Sequence, residues 1–203
     1  FYQRGSTLTR LHATRFEAEA IGDDVLLGAK ANEGDLRALL KKQLRWRAVH
    51  LACHGLVDRE HATLSSLALS RSEGHDGFLT ALEVLGMDIP ADLAVLSACE
   101  TARGGVIYGE GITGLMRSFM FAGAPRVLCS LWKVDDEATQ ALMVKFYELW
   151  NPRSKDEAGA GKAGRKGIAA AEALKQAQAH VRSHKKWKHP YYWAAWVLWG
   201  LPN

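Results

Sequence analysis

The sequence is poor in cysteine, lacks any long apolar run and carries none of the short motifs that mark nucleotide or zinc chemistry. Its three cysteines are an odd number without paired spacing, which argues against a disulfide framework and fits a reducing compartment. No apolar stretch approaches the roughly 18 residues of a membrane span, and no signal-peptide pattern opens the chain. CxxC, HExxH and P-loop motifs are absent. We therefore expect a cytoplasmic protein that needs no metal or organic cofactor and does not enter a membrane.

The bulk composition is that of one ordinary globular domain. The chain has 203 residues, of which 48% are hydrophobic and 24% charged, and this is enough for a sizeable core. We expect a single domain over residues 1–203. Because the chain begins with Phe1 and not with Met, we also expect it to be a piece of a longer protein.

The positive charge is concentrated in the last quarter of the chain. Residues 151–203 hold ten Lys or Arg against three Asp or Glu, whereas the whole chain has a net charge of +4. A basic segment can bind nucleic acid, which would predict an affinity that falls steeply with salt. A solvated loop and helix face is the commoner meaning of such a pattern. We interpret residues 151–167, rich in Gly, Lys and Ala, as a flexible basic loop, and expect no direct nucleic-acid binding by this domain.

Helix and strand patterns alternate along the chain, which favours an α/β layer architecture with a largely parallel sheet. Capping signals support three of the helix starts: Asn32, the capping box of Thr80 with Glu83, and the acidic pair Asp135 and Asp136. Strands are predicted at 25–29, 48–53, 66–70, 93–98, 126–132 and 193–199. Helices are predicted over 15–21, 33–44, 81–85, 112–122, 135–150 and 168–184.

Two of the predicted core strands end in side chains that could react. One runs into His54-Gly55 and the other into Cys99. The carboxyl ends of parallel strands meet at one edge of a sheet, so neighbouring strands would bring this thiol and this base together. A thiolate activated by an imidazole is the nucleophile of cysteine hydrolases. The separation of 45 residues is close to the roughly 50 between the catalytic His and Cys of caspases.

Gly55 adds a second function to this edge, because a backbone amide without a side chain can approach a substrate carbonyl closely. The amides of Gly55 and Cys99 would then form an oxyanion hole. A lone Cys at a strand end is more often a small buried hydrophobe, and it is the pairing with His54 that favours a nucleophile. Cys53 lies on the opposite face of its strand, and Cys129 lies within an apolar strand.

Six short blocks of the sequence resemble the CHAT domain, a branch of the caspase and separase superfamily (clan CD cysteine peptidases) often found behind tetratricopeptide repeats. Each block is weak alone, but together they follow the order of the family between about residue 15 and residue 201. The blocks are HLACHG at 50–55, LSACET at 96–101, GEG at 109–111, AGA at 122–124, SLWKVDDEAT at 130–139 and HPYYWAA at 189–195.

The resemblance implies a caspase-like three-layer α/β/α sandwich with a mostly parallel central sheet, and peptide-bond hydrolysis by a dyad of His54 and Cys99. It implies that residues 130–133 line the substrate groove, and that a first strand and a repeat or sensor domain lie upstream of this chain. The 151–167 loop is longer and more basic than the resemblance predicts. The residues expected to contact substrate are Glu100, Leu131, Trp132, Lys133 and Asp135.

The leading hypothesis is a cysteine endopeptidase that cleaves a specific protein substrate, restrained by an upstream domain or partner in a bacterial signalling, defence or cell-death role. The alternative is a catalytically silent interaction module that keeps the fold to bind a partner. For specificity, we hypothesise an acidic or neutral S1 wall involving Asp135. The competing interpretation is that Asp135 and Asp136 only cap the following helix.

Overall fold

Six strands form one mixed sheet, in which the three central strands are parallel and the outer ones antiparallel. The computed structural model describes residues 8–58, 60–100, 110–151 and 167–201, and for 98–100, 110 and 111 the backbone only. The strands are β1 (Val49–Leu56), β2 (Ser66–Ala68), β3 (Phe78–Thr80), β4 (Ala94–Glu100), β5 (Arg126–Ser130) and β6 (Trp196–Gly200). Their order across the sheet is β3-β2-β1-β4-β5-β6. The pairs β1–β4 and β4–β5 are parallel, and the other three pairs are antiparallel.

Within the described residues, six α-helices cover the two faces of this sheet. They are α1 (Ala13–Ile21), α2 (Glu33–Leu40), α3 (Ala81–Leu85), α4 (Glu110–Phe121), α5 (Asp136–Trp150) and α6 (Ala170–Ser183). Single 3₁₀ turns lie at Gly28–Lys30, Ala62–Leu64, Lys185–Trp187 and Pro190–Tyr192. The α4 face of the sheet, as we name it, is covered by α2, α3 and α4, and the α5 face by α1, α5 and α6. The predicted three-layer α/β/α architecture is confirmed.

The core lies in two apolar layers, one on each side of the sheet. Along β4, Leu96 packs into the layer under the α4 face, whereas Val95 packs into the layer under the α5 face. A strand that is buried on both faces reads as a continuous apolar run, which is why residues 93–98 could be recognised as a core strand. Full burial of each large apolar side chain contributes about 1.5–3 kcal/mol, so the two layers together hold β1, β4 and β5 in a fixed register.

The predicted helix starts are confirmed by their capping bonds. The Asn32 side chain accepts a hydrogen bond from the Asp35 amide at the start of α2. Thr80 and Glu83 form a complete capping box at α3. The predicted stop after α4 is also present, because Gly123 has φ of +120° and a Cβ there would lie 2.9 Å from the Ile89 carbonyl oxygen, a position that only glycine tolerates.

Other local predictions need correction. The strand predicted at 25–29 is wrong: this segment ends in the 3₁₀ turn at Gly28–Lys30, and Gly28 has φ of +57°, which breaks an extended chain. Helix α2 ends at Leu40, so Leu44 is fully exposed instead of continuing an apolar stripe. Strand β6 begins only at Trp196, because the turn at Pro190–Tyr192 occupies the preceding residues.

One short strand was missed, and two predicted loops cannot be compared with the structure. Strand β3 was not predicted, since three residues are too few for a periodic pattern. The predicted 151–167 loop, and the glycine-rich segment before α4, lie almost wholly outside the described residues. Within the part of the chain that is described, no helix has both the length and the apolar character to span a membrane.

Candidate active site

The two residues predicted to react are direct neighbours in the central sheet. In the parallel register of β1 and β4, His54 pairs with Cys99 and Gly55 pairs with Glu100. Residues paired across neighbouring strands occupy the same face of a sheet, and for His54 and Cys99 this is the α5 face. Both positions lie at the carboxyl ends of their strands, where sites form in open α/β sheets. The Cys99 thiol itself lies outside the described side chains, so its role as nucleophile stays a prediction.

The imidazole of His54 is oriented by the backbone that leads into α1. Its Nε2 atom lies 2.6 Å from the carbonyl oxygen of Thr9. A carbonyl oxygen only accepts, so Nε2 carries the hydrogen, and in the neutral ring Nδ1 is then the basic nitrogen. The Thr9 carbonyl therefore sets the tautomer of His54 and leaves the proton-accepting nitrogen on the other side of the ring.

The two other thiols are unsuited to nucleophilic attack. Cys53 packs against the apolar layer of the α4 face, and burial raises the pKa of its thiol to about 12, although the Ala68 backbone opposes this shift. Burial likewise raises the pKa of Cys129 to about 12, and its sulfur lies 3.0 Å from the sulfur of Met116. Because the thiolate is the reactive form, neither side chain competes with Cys99 at neutral pH.

A narrow recess lies on the α5 face, between the start of α1, the start of α5 and Ser97 of β4. The recess measures about 240 Å³ when the solvent at its open side is counted, and it has room for only a water-sized group. The hydroxyls of Ser97 and Thr139 are buried there without a hydrogen-bond partner among the described residues. Buried polar groups are normally paired, so these two hydroxyls have hydrogen-bonding capacity left for a water or a polar ligand group. The recess is lined by Leu11, Ala13, Thr14, Glu17, Ser97, Asp136 and Thr139.

Asp136 gives the recess its electrostatic character. Burial raises the pKa of its carboxyl, and the neighbouring carboxylates of Asp135 and Glu17 raise it further, while His54 and Lys133 act in the opposite direction. The Asp136 carboxyl and the His54 imidazole thus belong to one electrostatic environment. Two carboxylates and two unpaired hydroxyls suit a cationic group with several N–H donors, such as a guanidinium or an ammonium.

The predicted substrate-contact residues follow the end of β5. Leu131 is 37% exposed, and the indole N–H of Trp132 donates to the Tyr191 carbonyl at 3.0 Å. Lys133 is exposed. The Asp135 carboxylate accepts a hydrogen bond from the Ala138 amide at 3.1 Å, so it serves as the N-cap of α5, and Asp136 is the member of the pair that lines the recess. The Glu100 side chain lies outside the description, and the substrate contacts of all these residues stay predictions.

Sequence reasoning missed most of the recess. Ser97 could have been found, because it lies two residues before Cys99 and so shares its face of β4. Glu17 and Thr139 lie on helices, and nothing in the local pattern shows that these helices meet over β4. Thr9 acts through its carbonyl oxygen, a group that every residue has, and so it leaves no trace in the sequence.

The order of strands, the two covering helix layers and the paired ends of β1 and β4 define a caspase-like α/β domain. The model of the CHAT domain family matches residues 3–201, and the chain belongs to this family. A structure of the Saccharomyces cerevisiae separase–securin complex superimposes with a TM-score of 0.59 and 19% identity, over 95% of this chain and 11% of that one. At this identity the likeness concerns the fold alone.

Two curated relatives carry the printed name Tetratricopeptide repeat protein 28. The human protein is 34% identical over 123 residues and the mouse protein 33% identical over 123 residues. The match covers 60% of this chain and 4% of either relative. The chain therefore corresponds to a small part of each of these relatives.

Proposed function

We propose that this domain is a cysteine endopeptidase whose dyad is His54 and Cys99. The observation that carries the proposal is the register that pairs the two residues at the carboxyl ends of β1 and β4. The hydrogen bond from His54 Nε2 to the Thr9 carbonyl supports it, because it makes Nδ1 the basic nitrogen of the neutral ring.

In this mechanism, Nδ1 of His54 takes the proton of the Cys99 thiol, and the thiolate attacks the carbonyl carbon of the scissile peptide bond. The oxyanion is stabilised by the backbone amides of Gly55 and Cys99, both at the same end of the strand pair. As the C–N bond breaks, His54 returns the proton to the leaving amine. Water, deprotonated by His54, then attacks the thioester, releases the carboxylic acid and restores the thiol.

We further propose that the recess beside the dyad takes the side chain of the residue before the scissile bond, and that this residue is basic. Asp136 would pair with the cationic group, and the hydroxyls of Ser97 and Thr139 would accept its remaining N–H donors. The proposed acidic wall is thus Asp136, since the Asp135 carboxylate is engaged as a helix cap. Glu100, Leu131, Trp132 and Lys133 would contact neighbouring substrate residues.

Regulation is part of the proposal. The recess has room for only a water-sized group, so binding of a long basic side chain requires the recess to widen. A repeat or sensor domain upstream, or an activating partner, could drive that widening. Tetratricopeptide repeats in the name of the two relatives fit such a companion. The bacterial signalling, defence or cell-death setting stays a prediction, since both relatives are mammalian. The cytoplasmic location also stays a prediction.

The test is covalent labelling with a peptidyl acyloxymethyl ketone that carries arginine at the position next to the electrophile. We expect a single adduct, located at Cys99 by peptide mass spectrometry, and no adduct in Cys99→Ala. Cys53→Ala is the matched control. It removes a thiol of β1 that lies on the α4 face of the sheet, and this variant should still be labelled at Cys99. An adduct at Cys53 or Cys129, or none at Cys99 when the upstream domain is present, would refute the proposal.

The second candidate function is a catalytically silent interaction module, and the narrow recess is the observation that favours it. A domain whose recess never opens would present the same fold and the same residues without turnover. Such a module would resist labelling at Cys99 even when joined to its upstream domain, whereas a regulated peptidase would become reactive.

A further inference from the structure

A second polar cluster lies on the α5 face around His50, four residues before His54 along β1, and the proposed chemistry does not use it. Glu17 of α1 is buried, with 1% of its surface exposed. The His50 Nε2 atom lies 2.9 Å from Glu17 Oε1, and His50 Nδ1 lies 3.3 Å from the Tyr147 hydroxyl. The cluster therefore joins α1, β1 and α5 through one imidazole.

This cluster is a principal attachment of α1 to the sheet. The buried residues of α1 are Ala13 and Glu17, and alanine offers little apolar surface. A carboxylate is stable in such a place only when it is paired and hydrogen-bonded. The His50 imidazole supplies that partner, while Tyr147 holds the other side of the ring. The position of Glu17 along and above the sheet is thus fixed by His50.

Glu17 also belongs to the recess. It lines the same cavity as Asp136, and its charge contributes to the raised pKa of the Asp136 carboxyl, so the two acidic groups lie near each other. The segment that precedes α1 carries the Thr9 carbonyl that orients His54. Movement of α1 would therefore change the acidic wall and the orientation of the base together.

We infer that Glu17 is a second specificity-determining carboxylate of the recess, acting with Asp136 on a guanidinium or ammonium group, and that His50 is the positioning residue that holds it there. The inference rests on the proposed peptidase function and adds to it a recognition residue from α1. Two carboxylates around one cation would favour arginine, whose planar guanidinium can pair with two acceptors at once.

The test compares two acyloxymethyl ketone probes that differ only in the side chain next to the electrophile, arginine in one and its neutral isostere citrulline in the other. The measured quantity is the ratio of their labelling rate constants at Cys99. In Glu17→Gln, which keeps the size of the side chain and removes its charge, we expect this ratio to fall about tenfold, with the citrulline rate little changed. Glu19→Gln is the matched control, since Glu19 is on the same helix but exposed and paired with Arg15.

A residue with a purely structural role would lower both labelling rates in parallel, so an unchanged ratio in Glu17→Gln would overturn the inference. If Glu17→Gln does not fold, His50→Gln serves as the test variant. It keeps the Glu17 carboxylate but weakens the hydrogen bond that holds it in position. We then expect a several-fold fall in the ratio, and an unchanged ratio would again overturn the inference.

The same experiment separates this inference from the function on which it rests. Absence of labelling by both probes in the wild type joined to its upstream domain would overturn the peptidase proposal and this inference with it. Equal labelling by both probes would overturn basic recognition while leaving the dyad intact. Arginine-selective labelling that survives in Glu17→Gln would overturn the role of Glu17 alone.

Discussion

Two histidines on strand β1, four residues apart and on the same face of the sheet, do different work. His50 has an 11% exposed side chain and uses both ring nitrogens, one on Glu17 and one on Tyr147. His54 is half-buried at the strand's carboxyl end, with Nε2 on a backbone carbonyl and Cys99 as its register partner. The comparison teaches that depth along the strand, and not residue type, separates a packing histidine from a candidate base.

The sharpest way to break this comparison is His54→Ala. Loss of a general base lowers rates by about 10²–10⁴-fold, and we expect that loss in the rate of Cys99 labelling by the arginine probe. The melting temperature should change little, because His54 is only half-buried and its described partner is a backbone carbonyl.

His54→Gln is the companion variant, since it can still donate to the Thr9 carbonyl but cannot accept the thiol proton as an imidazole does. It should be as slow as the alanine variant. Labelling at the wild-type rate in either protein would remove His54 from the mechanism.

The second prediction concerns His50→Leu, which should act mainly on stability. The substitution leaves the Glu17 carboxylate buried without its partner, and breaking a buried pair in this way costs about 3–5 kcal/mol. We expect this loss in the free energy of unfolding measured with urea.

A double variant, His50→Leu with Glu17→Met, should recover much of the loss, because an apolar pair of similar volume can replace a buried polar one. If His50→Leu is as stable as the wild type, His50 does not have the structural role that distinguishes it here from His54.

The third and smallest effect is expected for Asp136→Asn, which tests whether the recess and the dyad share one electrostatic environment. The ratio of arginine to citrulline labelling should fall about tenfold. The pKa of Asp136 is raised above 3.8, mainly by burial. As the pH is lowered, the wild-type ratio of labelling rates should therefore begin to decline at a higher pH than the pKa of an ordinary aspartate would predict. The citrulline probe, measured at each pH, corrects for titration of the dyad.

The same raised pKa has a consequence for stability with a definite sign. The native state holds the Asp136 proton more tightly than the unfolded chain does. The stability that Asp136 contributes is therefore fully present below its ordinary, unfolded-state pKa and is lost as the pH rises through its raised, native-state pKa. Asp136→Asn should therefore be more stable than the wild type at neutral pH, and the difference should vanish in acid. Thermal melts of Asp136→Asn and the wild type at neutral and at acidic pH test this prediction. Equal melting temperatures of the two proteins at neutral pH would contradict it.

What could be predicted from the sequence follows a physical pattern. The apolar runs at 48–53 and 93–98 are local features, and they are sufficient to predict the strand pair that sets His54 beside Cys99. Local chemistry also predicted the cap at Asp135, but not which acidic neighbour would remain for a ligand. The answer depends on the rotation of α5 above β4, a tertiary property that places Asp136 in the recess.

Contributions from the first part of the chain were the hardest to predict. Helix α1 was expected from its pattern, yet its contact with His50 joins residues separated by 33 positions. The sequence shows two polar residues in amphipathic surroundings, and only the packed structure shows that they meet. The same holds for the Thr9 carbonyl, 45 positions from the imidazole it contacts.

The spacing between His50 and His54 limits how this protein can change over evolutionary time. Side chains alternate along a strand, so adding or deleting a single codon between these histidines would send one of them to the opposite face of the sheet. The anchored helix and the reactive edge would then be uncoupled in one mutational step. Insertions and deletions are therefore expected to accumulate outside the strands. Within β1, substitutions can be tolerated, but a change in the number of residues would disrupt the site.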